Sequence, residues 1–137
     1  MIVVAIIGIL AAIAIPRFAQ MLEKSREGST KGNLGSLKSA ASIYYGDTEG
    51  KWPTTLQSAT NFAFSRYMDN IPLVKVTGAF VAGAPSPAGS NLAMTAATGV
   101  PTTGTTGWLY DSTMGNVFVN STVSDSKSIP YSFYGFE

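Results

Sequence analysis

The sequence predicts an α+β protein: one long N-terminal α-helix, half apolar stalk and half amphipathic, packed on a small antiparallel β-sheet head. Three observations predict it. Met1 to Ile15 contain no charged or polar side chain. Residues 17 to 46 place Leu34, Leu37, Ala41, Tyr44 and Tyr45 at three- and four-residue spacing, one face of a helix. The C-terminal part holds short aromatic and β-branched runs separated by turn residues. The expected division is residues 1–18, an apolar transmembrane or core helix, and residues 19–137, the amphipathic continuation with the globular β head.

The stalk comes first. A helix that is apolar all round must be buried on every side, in lipid or in protein. Fifteen residues reach roughly 22 Å, against a bilayer core of roughly 30 Å, so the charge-free run is short for a span. A removable signal peptide would need a basic segment before the run and a small-residue cleavage site after it. The run begins at Met1, and Pro16-Arg17-Phe18 follows it. Gly8 weakens a helix interior by roughly 1 kcal/mol, and Pro16 by roughly 3 kcal/mol. The two bracket a segment that loses helicity at low cost, read either as a static kink or as a zone that melts when a rod stretches.

The amphipathic half follows. Leu34, Leu37, Ala41, Tyr44 and Tyr45 are expected to bury against the head. The other face carries Glu23, Lys24, Arg26, Glu27, Lys31 and Lys38. Two roles suit these charges: a solvated face, or complementarity to a neighbouring subunit. Gly46 to Gly50 end the helix, since glycine is the preferred stop, and Trp52-Pro53 opens a surface loop.

The head is expected to contain a short helix over Asn61 to Tyr67 and strands at Leu73 to Val76 and Ala79 to Val81. Residues 82 to 107, rich in Gly, Ala, Thr, Ser and Pro, read as an exposed loop. Within it, Thr98, Thr102, Thr103, Thr105 and Thr106 cluster around Pro101 as candidate O-glycosylation positions. Trp108 to Tyr110 and Val117 to Val119 read as strands around a turn at Asp111 to Gly115. Tyr131 to Tyr134 reads as a last strand. One face of this sheet would cover the helix and the other would meet water.

Composition excludes several functions. The net charge is +1, which provides no electrostatic footprint for nucleic acid. Cysteine and histidine are both absent, which removes thiolate zinc sites, cysteine nucleophiles and imidazole bases. No phosphate-cradling glycine loop with its lysine is present, nor a nucleophile elbow. The expectation is a non-enzyme without a cofactor or catalytic metal.

Residues Met1 to Phe18, with Gly8 and Pro16 in place, resemble the N-terminal helix of bacterial type IV pilins and type II secretion pseudopilins. Tyr44-Tyr45 through Trp52-Pro53 resembles the family's aromatic passage at the end of that helix, and Gly107 to Val119 its C-terminal strand pair. The resemblance implies the pilin fold and a subunit that polymerises with copies of itself into a type IV pilus. It places Ile2, Val3, Ile6, Ile7, Gly8, Ile9, Leu10, Ala11, Ile13, Ile15, Pro16 and Phe18 in the filament core, with Gly8 and Pro16 bounding the melting zone. It further implies residence in the inner membrane before assembly, a pilus assembly machinery with a cytoplasmic ATPase, and an extracellular filament with roles in adhesion, motility or surface contact.

Family members usually carry a Phe-Thr-Leu-Ile-Glu-Leu stretch before this Met. Six more residues would extend the apolar helix to roughly 31 Å, so the sequence is expected to be a shortened form of the family's chain. The alternative within the resemblance is the major pseudopilin of a type II secretion system, which often holds calcium in a C-terminal loop. Asp111, Asn116, Asn120 and Asp125 are the oxygen ligands on offer there, without calcium-loop spacing. A turn-initiating role suits Asp111 better.

Overall fold

A computed structural model describes residues 1–56, 63–76, 93–95, 106–121 and 123–135 of the chain. A single helix, α1, runs from Ile2 to Asp47 with Pro16 inside it, about 68 Å at the helical rise. Its end is built by three consecutive residues. The Thr48 N–H donates to the Tyr44 carbonyl at 3.0 Å. Glu49 and Gly50 then take positive φ values, 57° and 88°, which reverses the chain and lets the Gly50 N–H reach the Tyr45 carbonyl. The stop falls a few residues beyond Gly46, where the left-handed backbone suits glycine.

The head folds back along the second half of α1. Residues 51–56 return with Pro53 and Leu56 buried, so the passage read as a surface loop contributes to the core. The Tyr110 hydroxyl fixes it by donating to the Pro53 carbonyl at 2.8 Å. A 3-10 turn at Phe64–Arg66 buries Phe64 completely; residues 61 and 62 of the expected short helix lie outside the described residues.

Among the described residues, three strands form one sheet in the order β1-β2-β3: β1 Ala93–Thr95, β2 Trp108–Asp111 and β3 Asn116–Val119. β2 and β3 are antiparallel, with Trp108 opposite Val119 and Asp111 opposite Asn116. β1 adds to β2 in parallel, inside the stretch read as a loop. The β2–β3 turn closes through the Gly115 N–H on the Asp111 carbonyl at 2.8 Å, with Gly115 at φ 71°.

Two expected strands take other forms. Leu73 to Val76 pairs with no strand among the described residues. The Asn33 side chain donates to the Leu73 carbonyl at 2.8 Å, and the Lys75 N–H donates to the Thr30 hydroxyl at 3.1 Å. Side chains of α1 thus satisfy backbone groups that a sheet would otherwise satisfy. Tyr131–Phe133 is a 3-10 turn. Its one-in-three period turns Tyr131 and Tyr134 inward and leaves Phe133 exposed, whereas strand alternation would have paired Tyr131 with Phe133. The expected strand at 79–81 lies outside the described residues.

The core lies between α1 and the sheet. Leu34, Leu37, Ala40 and Ala41 of the helix meet Phe64, Val74, Val76, Trp108, Tyr110, Val117 and Val119. The opposite sheet face, carrying Leu109 and Phe118, is buried as well, so the sheet does not present an open face to water. Each large apolar side chain removed from water stabilises the head by about 1.5–3 kcal/mol before entropic costs.

Candidate functional site

The first half of α1 stands apart from the head. None of its most apolar stretch is buried within the chain. Ile2 is 78% exposed, Leu10 63% and Phe18 70%. The remaining core-assigned residues, Val3, Ile6, Ile7, Gly8, Ile9, Ile13, Ile15 and Pro16, are exposed too, and Ala11 is half-buried. Exposed apolar side chains continue past Pro16 to Met21 and Leu22. From Ile2 to Leu22 is about 30 Å of helix, close to the thickness of a bilayer core. Pro16 and Arg17 made the apolar run look finished at Ile15; the surface pattern beyond them was present in the sequence as Phe18, Met21 and Leu22.

Ten large apolar side chains are exposed between Ile2 and Phe18. Covering them is worth about 15–30 kcal/mol at the usual scale for such side chains. That exceeds the whole stability of a typical domain, about 5–15 kcal/mol, so this surface dominates the energetics of the chain and requires a cover.

The head holds the stalk through the second half of α1. Leu34, Leu37 and Ala41 are in the core, joined by Ala40 and Thr30, two positions the helical spacing did not single out. Thr30 is fully buried; its hydroxyl donates to the Arg26 carbonyl at 2.9 Å while accepting from Lys75. Tyr44 is half-buried against the rings of Phe64 and Tyr67, at centroid distances of 6.0 and 5.5 Å. Tyr45 lies on the other side, exposed at one edge and stacked on Trp52 at 4.2 Å.

Part of the charged face of α1 clamps the chain's own C-terminal segment. The Glu27 carboxylate accepts from the Ser126 N–H at 2.8 Å and its hydroxyl at 2.9 Å. The Lys31 ammonium sits 4.3 Å from the centre of the Tyr134 ring, and the Lys38 ammonium donates to the Gly135 carbonyl. Positions 27, 31 and 38 lie on one helix face, so three charges fasten residues 123–135 along α1.

Asp125 organises that segment from within. One oxygen accepts the Lys127 and Ile129 N–H groups at 2.8 and 2.9 Å, and the other accepts the Tyr134 hydroxyl. Burial would raise its carboxyl pKa, but these hydrogen bonds and the Lys31 charge outweigh it and hold it below the usual range. Burial, with Glu27 nearby, pushes the Tyr131 phenol up to about 12. Asp111 has the turn geometry: its Oδ1 accepts from the Thr113 N–H and hydroxyl at 2.8 and 2.6 Å. The Thr113 hydroxyl is the main reason its carboxyl lies low. Asn120 donates to Thr106, 2.9 Å from its carbonyl and 3.1 Å from its hydroxyl.

Thus Asp111, Asn120 and Asp125 serve turns and loop contacts rather than converging. Among the described residues no cluster of three or more Asp and Glu side chains is placed to hold a metal ion. Of the candidate glycosylation positions, Thr106 is half-buried, and Thr98, Thr102, Thr103 and Thr105 lie outside the described residues. What the geometry offers is an exposed apolar helix segment continuous with the helix that carries a small head.

Two curated proteins are similar to part of the chain. Fimbrial protein EcpC of Eikenella corrodens is 47% identical over 53 residues, 39% of this chain and 34% of that protein. Type IV major pilin protein PilA of Myxococcus xanthus is 47% identical over 49 residues, 36% of this chain and 22% of that protein. The chain therefore spans about a third or less of the length of these relatives. No family model and no solved structure matches it.

Proposed function

We propose that this chain, a member of the type IV pilin family, is a structural subunit that polymerises through its apolar N-terminal helix into a type IV pilus. The observation that carries the reading is the exposed apolar surface of α1 from Ile2 to Leu22. It is long enough for a membrane before assembly and too costly to leave in water afterwards. Bundling the stalks at a filament axis covers it again. Because lipid is already apolar, the exchange gains little from the hydrophobic effect. Close packing must supply the specificity, and Gly8, Ala11 and Ala12 allow neighbouring backbones to approach.

The heads then form the outer surface, the part available for adhesion, motility or surface contact. Subunits wait in the inner membrane, and an assembly machinery outside this chain drives them into the fibre. In lipid, unpaired backbone groups cost several kcal/mol each, which favours the continuous helix seen through Pro16. In a bundle, neighbouring chains can shield such groups, and the Gly8–Pro16 segment extends. The names of the two relatives, a fimbrial protein and a major pilin, support a structural pilus subunit, and the place where the fibres form separates a pilus from a secretion pseudopilus. Imaging cells with antibody to the head tests this choice. Labelled fibres beyond the cell surface are the expected result; short periplasmic fibres alone would favour the secretion system.

A further inference from the structure

At the C-terminal end of the apolar stalk, Arg17, Gln20, Met21 and Lys24 line a shallow recess of about 250 Å³ on the exposed surface of α1. Their spacing, i, i+3, i+4 and i+7, sets them on one helix face. We propose that this face binds the headgroup of an anionic phospholipid, holding the subunit at the membrane edge before assembly. The proposal rests on the reading of α1 as a membrane anchor.

Three features carry it. The first is position. The recess continues directly from the apolar stalk surface, so a lipid whose chains lie along Ile13 and Phe18 brings its phosphate to this height. Side chains on a helix lean toward its N-terminus, here toward the bilayer. The Arg17 and Lys24 backbones are about 10 Å apart along the axis; the long Arg17 side chain snorkels outward to the headgroups while Lys24 reaches back to them, which brings the two charges together. The headgroup layer on one side is about 5–8 Å thick, which both cations then share.

The second feature is charge. Two cations flank the recess and no acid lies between them. Glu23 projects about 100° away from Lys24 around the helix, and the Glu27 carboxylate is occupied by Ser126. The third is the donor set. Arg17 offers a planar fork matched to phosphate oxygens, and Lys24 a compact charge. Met21 supplies an apolar contact for the glycerol region, and the Gln20 amide a further donor. A zwitterionic lipid brings its own cation into the recess and loses the advantage; a lipid with a net negative headgroup keeps it.

The test uses the full chain carrying Phe18→Trp, reconstituted in phosphatidylcholine vesicles doped with brominated phosphatidylglycerol or brominated phosphatidylcholine. Quenching of the reporter, corrected for Trp52 and Trp108 in the unsubstituted chain, gives the relative association of the two lipids. Each cation near an anionic lipid surface is worth about a fivefold preference, so the pair is expected to favour phosphatidylglycerol by up to about thirtyfold. Arg17→Gln with Lys24→Gln should bring the ratio close to one, and added salt should reduce it in the parent. Equal quenching by both lipids would overturn the proposal and leave the anchor reading standing. A preference that survives the double substitution would overturn it too, and if pelletable filaments fell in that variant, the face would belong to a neighbouring subunit. No quenching by either lipid would remove the anchor reading and the proposal with it.

Discussion

Replacing Gly115 with Ala should destabilise the head by about 1.5–3.5 kcal/mol, a sum of two costs visible in the β2–β3 turn. Gly115 adopts φ 71°, where a side chain costs roughly 1–2 kcal/mol. A Cβ there would also stand 2.2 Å from Cε3 of Trp52, far inside ordinary carbon contact at about 3.5–4.0 Å. The indole must therefore shift and surrender its stack on Tyr45, at 4.2 Å and 29°, worth about 0.5–1.5 kcal/mol. Urea unfolding of the full chain in mild detergent, followed by tryptophan fluorescence, should show a lower midpoint at an unchanged slope. Gly32→Ala is the internal comparison. Its Cβ would meet nothing within 4 Å on an exposed helix face, and the exchange should stabilise by up to about 1 kcal/mol. Equal effects of the two substitutions, or no loss at Gly115, would refute the argument that Trp52 is seated on that turn.

Leu37→Ala, at a fully buried helix position, should cost about 2–5 kcal/mol in the same urea assay. Acid should destabilise the head as the pH falls below the ordinary carboxyl value of 3.8, because Asp111 and Asp125 are both held lower in the folded chain; their contribution is complete above that value and disappears as they protonate. Asp125→Asn should flatten the acid limb of a Tm–pH profile. At the alkaline end the sign reverses: Tyr131, raised to about 12, contributes stability that is complete below the ordinary value of 10.0 and declines as the pH rises through its folded value. Pro16→Ala should restore the missing helical bond to the Ala12 carbonyl, leave the melting of the head unchanged, and lower the extensibility of filaments pulled by force spectroscopy.

The architecture was legible in the sequence where one pattern had one physical meaning. A charge-free, all-apolar run can only be a covered helix, and the short runs ending at Tyr110 and beginning at Val117 around a turn can hardly avoid pairing. Legibility failed where a pattern had two solutions. Leu73 to Val76 alternates in burial as a strand does, yet its backbone partners are Asn33 and Thr30 of α1, which no local signal reveals. Tyr131 to Tyr134 has strand-forming residues, but Pro130 lacks an N–H for a ladder, and the Tyr131–Tyr134 spacing suits a 3-10 turn. The charged face of α1 posed the same difficulty. Glu27, Lys31 and Lys38 read as charges awaiting water or a neighbour, because their partners lie about a hundred residues away in the chain's own C-terminal segment. The apolar surface looked shorter than it is, since Arg17 hid its continuation to Leu22.

A three-dimensional reconstruction of the native filament, at a resolution that places side chains, tests the central claim most directly. The account predicts the α1 stalks bundled at the axis, Ile2 to Phe18 shielded from solvent by neighbouring copies, and the heads outside with Leu37 and Trp108 still packed together. A filament held together through the heads, with the Ile2 to Phe18 surface left facing water, would contradict it.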